Sequence, residues 1–263
     1  MQKPLSTSGV DRGHRHRAPE GDRRNGEGVP IRLLKSGRLQ KSVLIGTSNP
    51  GKHGEIMEVL GGLPVAFLRP SDLGLNGDID ENGETYEENA EIKARHFYSQ
   101  CGFLTLAEDS GIIVDALAGE LGVKTRRWGA GGDASDEEWI KHFLEVMRNV
   151  PAHKRTARFV CCAAVIGGVG PEGAEGDGAG SVAGSSFQNE VRFFRGETEG
   201  IITNDLEVPI IPGIPLSSCF RPVGFDRVYA ALSVGEKNGI SHRGKAMRAA
   251  KDYLEQKISA KIN

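Results

Sequence analysis

The chain has 263 residues, of which 33 are Lys or Arg and 35 are Asp or Glu, which gives a formal charge of −2. A balance this close excludes a protein that binds polyanions across its whole surface. Hydrophobic residues make up 38% of the chain. Because the longest apolar run, Phe159 to Val169, is shorter than the ~18 residues that cross a bilayer, we expect no membrane span.

Two segments are predicted to lie outside the globular core. Residues 1–40 carry nine basic and four acidic residues without apolar periodicity, and we interpret them as a disordered basic tail. An inert extension, a mis-assigned start codon and a contact with nucleic acid are open alternatives for this tail, although we do not expect nucleic acid to be a main partner. Residues 167–189 are rich in Gly and are predicted to form a loop insert in a domain spanning 41–263. Without tail and insert, roughly 200 residues remain, enough for one compact core.

The four cysteines are Cys101, Cys161, Cys162 and Cys219. They have neither CxxC spacing nor the density of a disulfide scaffold. The N-terminal segment also lacks the apolar stretch that a secretory signal carries behind its basic residues. Since free cysteines are typical of a reducing compartment, we expect a cytoplasmic protein.

Helical and strand periods alternate along the core, which predicts an α/β layered domain. A capping box from Ser135 to Glu138 marks the start of one helix, and Ser241 is the expected N-cap of the last. The acidic tetrapeptide 108–111 follows an apolar run and is predicted to lie at a strand end, before a second apolar run. Strands are predicted at 42–47, 103–107, 156–166 and 191–203, the last two as a hairpin around the insert, and helices at 86–100, 242–257 and after residues 51 and 135.

The first candidate site is the loop between the first strand and the first helix. It offers hydroxyls, an amide, a glycine that lets the backbone approach closely, and one ammonium group. The helix that follows adds unpaired N–H groups and the positive end of its dipole, which together favour a phosphate. The loop lacks the Walker spacing, and the alternative is an ordinary Asn-Pro-Gly turn beside a solvated lysine. Its residues are Thr47, Ser48, Asn49, Pro50, Gly51 and Lys52.

The second candidate site is the acidic pair Glu108 and Asp109, which precedes Ser110 and Gly111. Two carboxylates this close repel each other unless a cation joins them, and oxygen ligands of this kind favour Mg²⁺. A polar turn with an N-capping aspartate is the alternative. A further carboxylate would come from Glu81, Glu84, Glu87 or Glu88.

The third candidate site is a basic cluster at the start of the last helix, formed by Lys237, His242 and Arg243. Cations oppose the dipole at a helix N-terminus, so three of them together indicate that an anion is bound there. The alternative is a solvated basic cap. Two cationic phosphate sites and one carboxylate centre are typical of metal-assisted phosphoryl chemistry.

Five motifs follow one another along the chain between about residue 42 and residue 257. They are Thr47-x-Asn49-x-x-Lys52, Glu88-Asn89-Ala90 with Lys93-Ala94-Arg95, Ala107-Glu108-Asp109-Ser110-Gly111, Phe194-Arg195-Gly196-Glu197-Thr198-Glu199-Gly200 and Ile240-Ser241-His242-Arg243. In their order and spacing, these motifs resemble those of the inosine triphosphate pyrophosphatase family. The resemblance implies an elongated, two-lobed α/β fold with a long mixed central sheet flanked by helices, and a homodimer.

The resemblance also implies an activity, the Mg²⁺-dependent hydrolysis of non-standard purine nucleoside triphosphates (ITP, dITP and XTP) to the monophosphate and pyrophosphate. Such an enzyme cleanses the nucleotide pool. By the family pattern, Asp109 is the general base and a metal ligand, and Glu81 is a second metal ligand, with Glu84 or Glu88 as alternatives. The residues implied to bind substrate are Thr47, Ser48, Asn49, Pro50, Gly51, Lys52, Ser110, Lys237, His242 and Arg243.

One segment departs from the family pattern. The family carries Phe-Gly-Tyr/Trp-Asp-Pro-x-Phe before the basic motif, where the aromatic residue packs on the purine and the aspartate helps to read it. This chain has Leu216 and Ser217 at those two positions, counted back from Phe220. Losing a buried acceptor removes discrimination that packing cannot replace, so the preferred base is open. The alternative function is a nucleotide-binding homologue with altered base selectivity or little turnover.

Overall fold

The computed structural model describes residues 42–259, apart from 76, 78, 132 and 168–189. The tail at 1–40 and the insert at 167–189, except Gly167, therefore lie outside the described residues. The described chain forms a mixed six-stranded sheet in the order β2-β1-β3-β4-β5-β6. The strands are β1 (Ser42–Ile45), β2 (Ala66–Leu68), β3 (Leu104–Val114), β4 (Thr156–Ile166), β5 (Arg192–Ile202) and β6 (Phe220–Pro222).

The sheet changes character at β3. On one side, β1 pairs in parallel with β2 and β3, and on the other side β3 to β6 pair antiparallel. The pairing of β4 with β5 places Val165 opposite Arg192, so the hairpin predicted around the insert is confirmed. The short strands β2 and β6 were not predicted from the sequence, because three residues carry too little alternation to stand out.

Five helices cover the sheet within the described residues. The two predicted N-caps are confirmed, since Ser135 and Ser241 each accept a hydrogen bond from a backbone N–H in the first turn. Asn49 caps α1 in the same way, which was not predicted. None of the helices in this part of the chain is long and apolar enough to cross a membrane. The helices are α1 (Pro50–Leu60), α2 (Tyr86–Cys101), α3 (Asp136–Met147), α4 (Val234–Ile240) and α5 (His242–Ser259).

The hydrophobic core is divided along β3. Leu104 and Leu106 belong to a cluster under α1 and α5, whereas Ile112 and Val114 belong to a second cluster under α3. The tetrapeptide 108–111 lies between these clusters, inside the 11-residue strand. The prediction that it ends a strand is therefore wrong. Its backbone pairs with Val160–Ala163 of β4, so the hydrogen-bond ladder between the strands continues through Glu108, Asp109 and Ser110.

Gly196 sets how closely α5 approaches the sheet. A Cβ atom at this position of β5 would lie 2.1 Å from the carbonyl oxygen of His242 and 2.8 Å from the backbone nitrogen of Ala246. Real Cβ atoms do not come this close, so any larger residue would push the first turn of α5 outward. The glycine therefore determines where α5 presents His242 and Arg243.

Arg155 ties the end of α3 to the end of β5. Its guanidinium group donates to the carbonyl oxygens of Met147 and Thr203 at 2.7 Å, Ile202 at 2.8 Å and Val150 at 3.2 Å. The side chain is buried, with Arg155 only 3% exposed. One cation therefore satisfies carbonyl groups that would otherwise lack partners.

We expect Arg155→Met to lower the free energy of unfolding by about 3 kcal/mol, because buried carbonyls would lose charge-assisted partners. Urea denaturation at neutral pH measures the change. The matched control is Arg158→Met, which removes only a partly exposed ion pair with Asp115 at 3.6 Å and should cost less than about 1 kcal/mol. Equal losses in the two variants would contradict this account.

Candidate functional site

A cleft of about 690 Å³ opens beside the middle of β3. The loop after β1, the start of α5 and segment 213–217 contribute to its walls. Pro50, Gly51 and Lys237 are not among the residues that line it, although all three were predicted to bind substrate. The predicted site residues that do line it are Thr47, Ser48, Asn49, Lys52, Glu81, Asp109, Ser110, His242 and Arg243.

The loop after β1 is held in shape by its own polar side chains. Thr47 Oγ1 accepts a hydrogen bond from the Asn49 backbone N–H at 3.2 Å, and Asn49 Oδ1 accepts one from the Lys52 N–H at 3.1 Å. Pro50 occupies the first turn, which contains no acidic residue. The Asn-Pro-Gly turn is therefore a helix cap, and it leaves an electropositive helix end facing the cleft wall.

Asp109 lies at the centre of a buried polar cluster. Its Oδ1 is 3.0 Å from Lys93 Nζ, and the same ammonium group is 3.0 Å from Glu81 Oε2. The Asn89 amide donates to Asp109 Oδ2 at 3.3 Å and accepts from the Gly83 N–H at 2.9 Å. Glu81 and Asp109, the two predicted metal ligands, thus converge on one cation supplied by α2.

The other three carboxylates considered for this position are directed elsewhere or exposed. Glu88 closes the capping box of α2 by accepting from the Thr85 and Glu84 N–H groups. Glu87 pairs with Arg195 at 2.7 Å, and Glu84 is exposed. Among these four, Glu81 is the carboxylate that shares a cation with Asp109.

Burial and charge act in opposite directions on this cluster. Burial raises the pKa of the Asp109 carboxyl group above its ordinary value, although Lys93 and Lys52 favour the ionised form. Burial alone would lower the pKa of Lys93, but the carboxylates of Asp109, Glu108 and Glu81 outweigh it and raise that pKa. Lys93 is therefore a cation at neutral pH, and Asp109 is more basic than an ordinary aspartate.

Glu108 points away from Asp109, because successive side chains of a strand alternate between the faces of the sheet. Its fully buried carboxylate lies 2.9 Å from Lys52 Nζ and 3.7 Å from Arg243 Nη2. Burial would raise its pKa, but Lys52, Arg243 and Lys93 hold that pKa well below its usual range. The prediction that one cation joins Glu108 and Asp109 is therefore wrong, since each carboxylate has its own partners.

The basic cluster at the start of α5 already has an internal anion. Glu55 of α1 lies 3.0 Å from Lys237 Nζ through Oε1 and pairs with Arg243 through Oε2. Arg243 also donates to Ser110 Oγ at 2.9 Å. Two carboxylates of the chain itself, Glu55 and Glu108, therefore lie beside the cations for which the sequence predicts a bound anion. Lys237 belongs to α4, near its C-terminal end, and not to the last helix.

The charges of this network balance. Among the described residues, the ion pairs at the cleft join four cations to four carboxylates, and Asp136 lines the cleft as a further carboxylate. The cations of the two phosphate sites expected from the sequence are therefore already paired with carboxylates of the chain itself. The cations are Lys52, Lys93, Lys237 and Arg243, and the carboxylates are Glu55, Glu81, Glu108 and Asp109.

Aromatic rings and the segment that departs from the family pattern line another part of the cleft. The His242 ring stacks on Phe159, with centroids 4.9 Å apart and planes at 14°. Leu216 and Ser217 are buried, and the Ser217 hydroxyl donates to the Ile214 carbonyl at 2.7 Å. Ser217 thus offers lone pairs but no charge to a ligand.

Gly213 fastens this segment to two helix starts. Its N–H donates to Asp136 Oδ2 at 2.6 Å, and its carbonyl accepts from Asn49 Nδ2 at 3.4 Å. The residue has φ of +81°, a backbone conformation that favours glycine. The segment that carries Leu216 and Ser217 is therefore coupled to the N-cap of α1.

Several residues that are central to this geometry carry no clear functional signal in the sequence. Asn89 and Lys93 lie four residues apart on α2, within a motif that only the family resemblance singles out. Glu55 follows Lys52 by three residues on α1, so the two share a helix face. Phe159 carries no such signal, because an apolar residue in a strand has the pattern of a core residue.

His242 predicts a pH dependence of stability. Burial and the neighbouring Arg243 lower its pKa well below the usual value of 6.5, so in mild acid the unfolded chain binds a proton that the folded chain rejects. Stability should therefore fall as the pH drops below about 6.5, by up to ~1.4 kcal/mol per pH unit.

Urea denaturation at pH 7.5 and 5.5 measures this dependence, and His242→Gln should reduce it. His153→Gln, at an exposed histidine, should keep the wild-type dependence. If His242→Gln loses as much stability as the wild type between pH 7.5 and pH 5.5, His242 is not the source of the pH dependence.

Comparison with known proteins supplies the family. The profile of the Ham1 family matches residues 43–253. A dITP/XTP pyrophosphatase from Symbiobacterium thermophilum is 39% identical over 218 residues, covering 82% of this chain and 95% of that relative. A protein of the same name from Geobacter sulfurreducens is 34% identical over 213 residues, covering 81% of this chain and 96% of the relative.

Solved structures resemble the fold described above. A HAM1 protein from Coxiella burnetii matches with a TM-score of 0.66 and 29% identity, covering 82% of this chain and 99% of that one. A nucleoside-triphosphatase, dITP/XTP pyrophosphatase, from Mycobacterium abscessus matches with a TM-score of 0.57 and 30% identity, covering 80% and 98%. The α/β fold and the family resemblance predicted from the motifs are confirmed. The chain belongs to the Ham1 family.

Proposed function

We propose that the chain is a nucleoside triphosphate pyrophosphatase that hydrolyses non-standard purine triphosphates (ITP, dITP and XTP) to the monophosphate and pyrophosphate, and so cleanses the nucleotide pool. The observation that carries the proposal is the convergence of Asp109, Lys52, Lys93 and Arg243 on one cleft. At about 690 Å³, the cleft is of the size that holds small ligands. Relatives named dITP/XTP pyrophosphatases support the substrate class.

The proposal includes Mg²⁺, and the donor set fits that ion. Glu81 Oε2 and Asp109 Oδ1 both lie 3.0 Å from Lys93 Nζ, so two carboxylate oxygens already converge on one positive charge. Among the residues described, no group of three or more His, Cys, Asp or Glu could hold a metal. Mg²⁺ suits such a sparse site, because it commonly combines one or two carboxylates with substrate phosphates and water. Bound there by Glu81 and Asp109, it would polarise the phosphate and offset its charge.

Asp109 is placed to act as the general base. Its pKa is raised by burial, and the Asn89 amide fixes its Oδ2. In the proposed reaction, Asp109 orients a water molecule and takes a proton from it as the water oxygen attacks the α-phosphorus. The bond from the α-phosphorus to the bridging oxygen then breaks, and that oxygen leaves with pyrophosphate. Lys52, in the first turn of α1, offsets the charge on this leaving group.

The residues expected to recognise the base favour a second candidate function. Leu216 can cover a ring by dispersion, but Ser217 carries no charge, and its hydroxyl is already bonded to Ile214. Selectivity for a purine would then rest on packing against Phe159 and His242, which discriminates less than a buried hydrogen bond. A nucleotide-binding homologue with altered selectivity or little turnover is therefore the alternative.

A cytoplasmic location and a homodimer complete the proposal. The four cysteines are free, as is common in a reducing compartment. The dimer rests on the family resemblance alone.

The first test is a side-by-side panel of triphosphates with Mg²⁺, in which pyrophosphate release is measured. We expect kcat/KM for ITP, dITP and XTP to exceed that for the four common ribonucleoside triphosphates by at least about tenfold. If none of these nucleotides releases pyrophosphate, the enzyme proposal fails and the binding alternative gains. If all are hydrolysed equally, the assignment of substrate class is wrong.

The second test concerns the general base. Asp109→Asn should fold normally and lower kcat by about a thousandfold or more, because the amide cannot accept the proton from water. The matched control is Asp115→Asn, which changes an exposed carboxylate beyond the end of β3 and should keep the wild-type rate. A nearly wild-type rate for Asp109→Asn would place the base elsewhere.

A further inference from the structure

Glu55 is a carboxylate that the proposed reaction does not use, although it lines the cleft. It lies one turn into α1, and its side chain is only 14% exposed. Its two oxygens contact two different cations, Lys237 of α4 and Arg243 of α5. More than 180 residues of sequence separate Glu55 from these partners, so the contact joins distant parts of the fold.

The two cations depend on Glu55 to different degrees. Arg243 is also held by Ser110 Oγ at 2.9 Å and by Glu108 at 3.7 Å. Lys237 has, among the described residues, Glu55 as its carboxylate partner and the face of Tyr229, whose ring centroid lies 5.5 Å from Nζ. Removing the charge of Glu55 would therefore free Lys237 more than Arg243.

The charge state of Glu55 agrees with this role. Burial would raise its pKa, but Arg243 and Lys237 outweigh burial and lower it, so the carboxylate is ionised at neutral pH. A partly buried ion pair adds little net stability over packed apolar side chains. Its place on the wall of a ligand cleft is therefore better explained by the orientation of Lys237 and Arg243 than by the stability of α1.

We propose that Glu55 is a positioning residue for substrate binding, which fixes Arg243 in the wall of the cleft and Lys237 beside it, and locks α1 to the start of α5. The inference rests on the proposed function, because these cations are the ones that the family resemblance assigns to the substrate. Lys52 lies three residues before Glu55 on the same helix. The loop after β1 and the basic cluster would thus keep a fixed separation when the nucleotide binds.

The experiment is a double-mutant cycle with Glu55→Gln and Lys237→Met. KM and kcat are measured for ITP with Mg²⁺, and the dissociation constant for inosine monophosphate is measured by calorimetry. Glu55→Gln should raise KM and the dissociation constant about tenfold, the order expected when a charge-assisted contact is lost, and change kcat less than about threefold. In the Lys237→Met background, the same substitution should add less than about threefold. Glu58→Gln, at an exposed carboxylate of the same helix, should match the wild type.

Two kinds of result would overturn the inference, and a third would separate it from the proposed function. Tighter binding in Glu55→Gln would mean that the carboxylate competes with the substrate for the two cations. If Glu55→Gln leaves KM unchanged, or weakens binding equally in the wild-type and Lys237→Met backgrounds, Glu55 is at most a structural residue of α1. A wild-type protein that binds inosine monophosphate but releases no pyrophosphate would refute the proposed function, and the calorimetric cycle would still decide the role of Glu55.

Discussion

The site depends on the alternation of two adjacent carboxylates along β3. Glu108 and Asp109 are neighbours in sequence, yet the pleat of the strand sends their side chains to opposite faces of the sheet. Glu108 meets Lys52 and Arg243 on one face, and Asp109 meets Lys93 on the other. Two charges that would repel in a turn are thereby separated by the backbone. A strand can cross the molecule through this polar segment because every charge has a partner.

This pairing changes how the cleft can recognise a nucleotide. A cleft with a positive excess would attract polyanions of many kinds, whereas here four cations are paired with four carboxylates and Asp136 lines the cleft as a further carboxylate. A triphosphate must therefore exchange contacts with the carboxylates or arrive with its own counter-ion. The divalent ion proposed for Glu81 and Asp109 would satisfy that requirement, since it would add positive charge to the cleft. The ion pairs also hold the cations in place before binding, so less freedom is lost when a ligand enters.

The parts of the cleft are coupled through backbone contacts. Gly213 joins the segment carrying Leu216 and Ser217 to Asn49 and Asp136, and Gly196 lets the first turn of α5 lie directly on β5. Segment 213–217, the loop after β1 and the start of α5 are therefore held in place by short contacts with their neighbours. A change of side chain at position 216 or 217 acts within a frame that is already set.

Features that depend on neighbouring residues follow from the sequence alone. Local hydrogen bonding and periodicity, which act over a few residues, predict the caps at Ser135 and Ser241 and the helix after residue 51. The hairpin of β4 and β5 follows from two strand patterns on either side of the Gly-rich insert. The motifs also brought Asp109, Glu81, Lys52 and Arg243 into one proposed site. Which carboxylate pairs with which cation depends on the three-dimensional fold. Glu55 lies far in sequence from Lys237 and Arg243. Glu108 and Asp109 point to opposite faces of β3, whose course depends on its pairing with β4. Ion pairing depends on distance in space, and that distance is fixed by the packing of helices against the sheet.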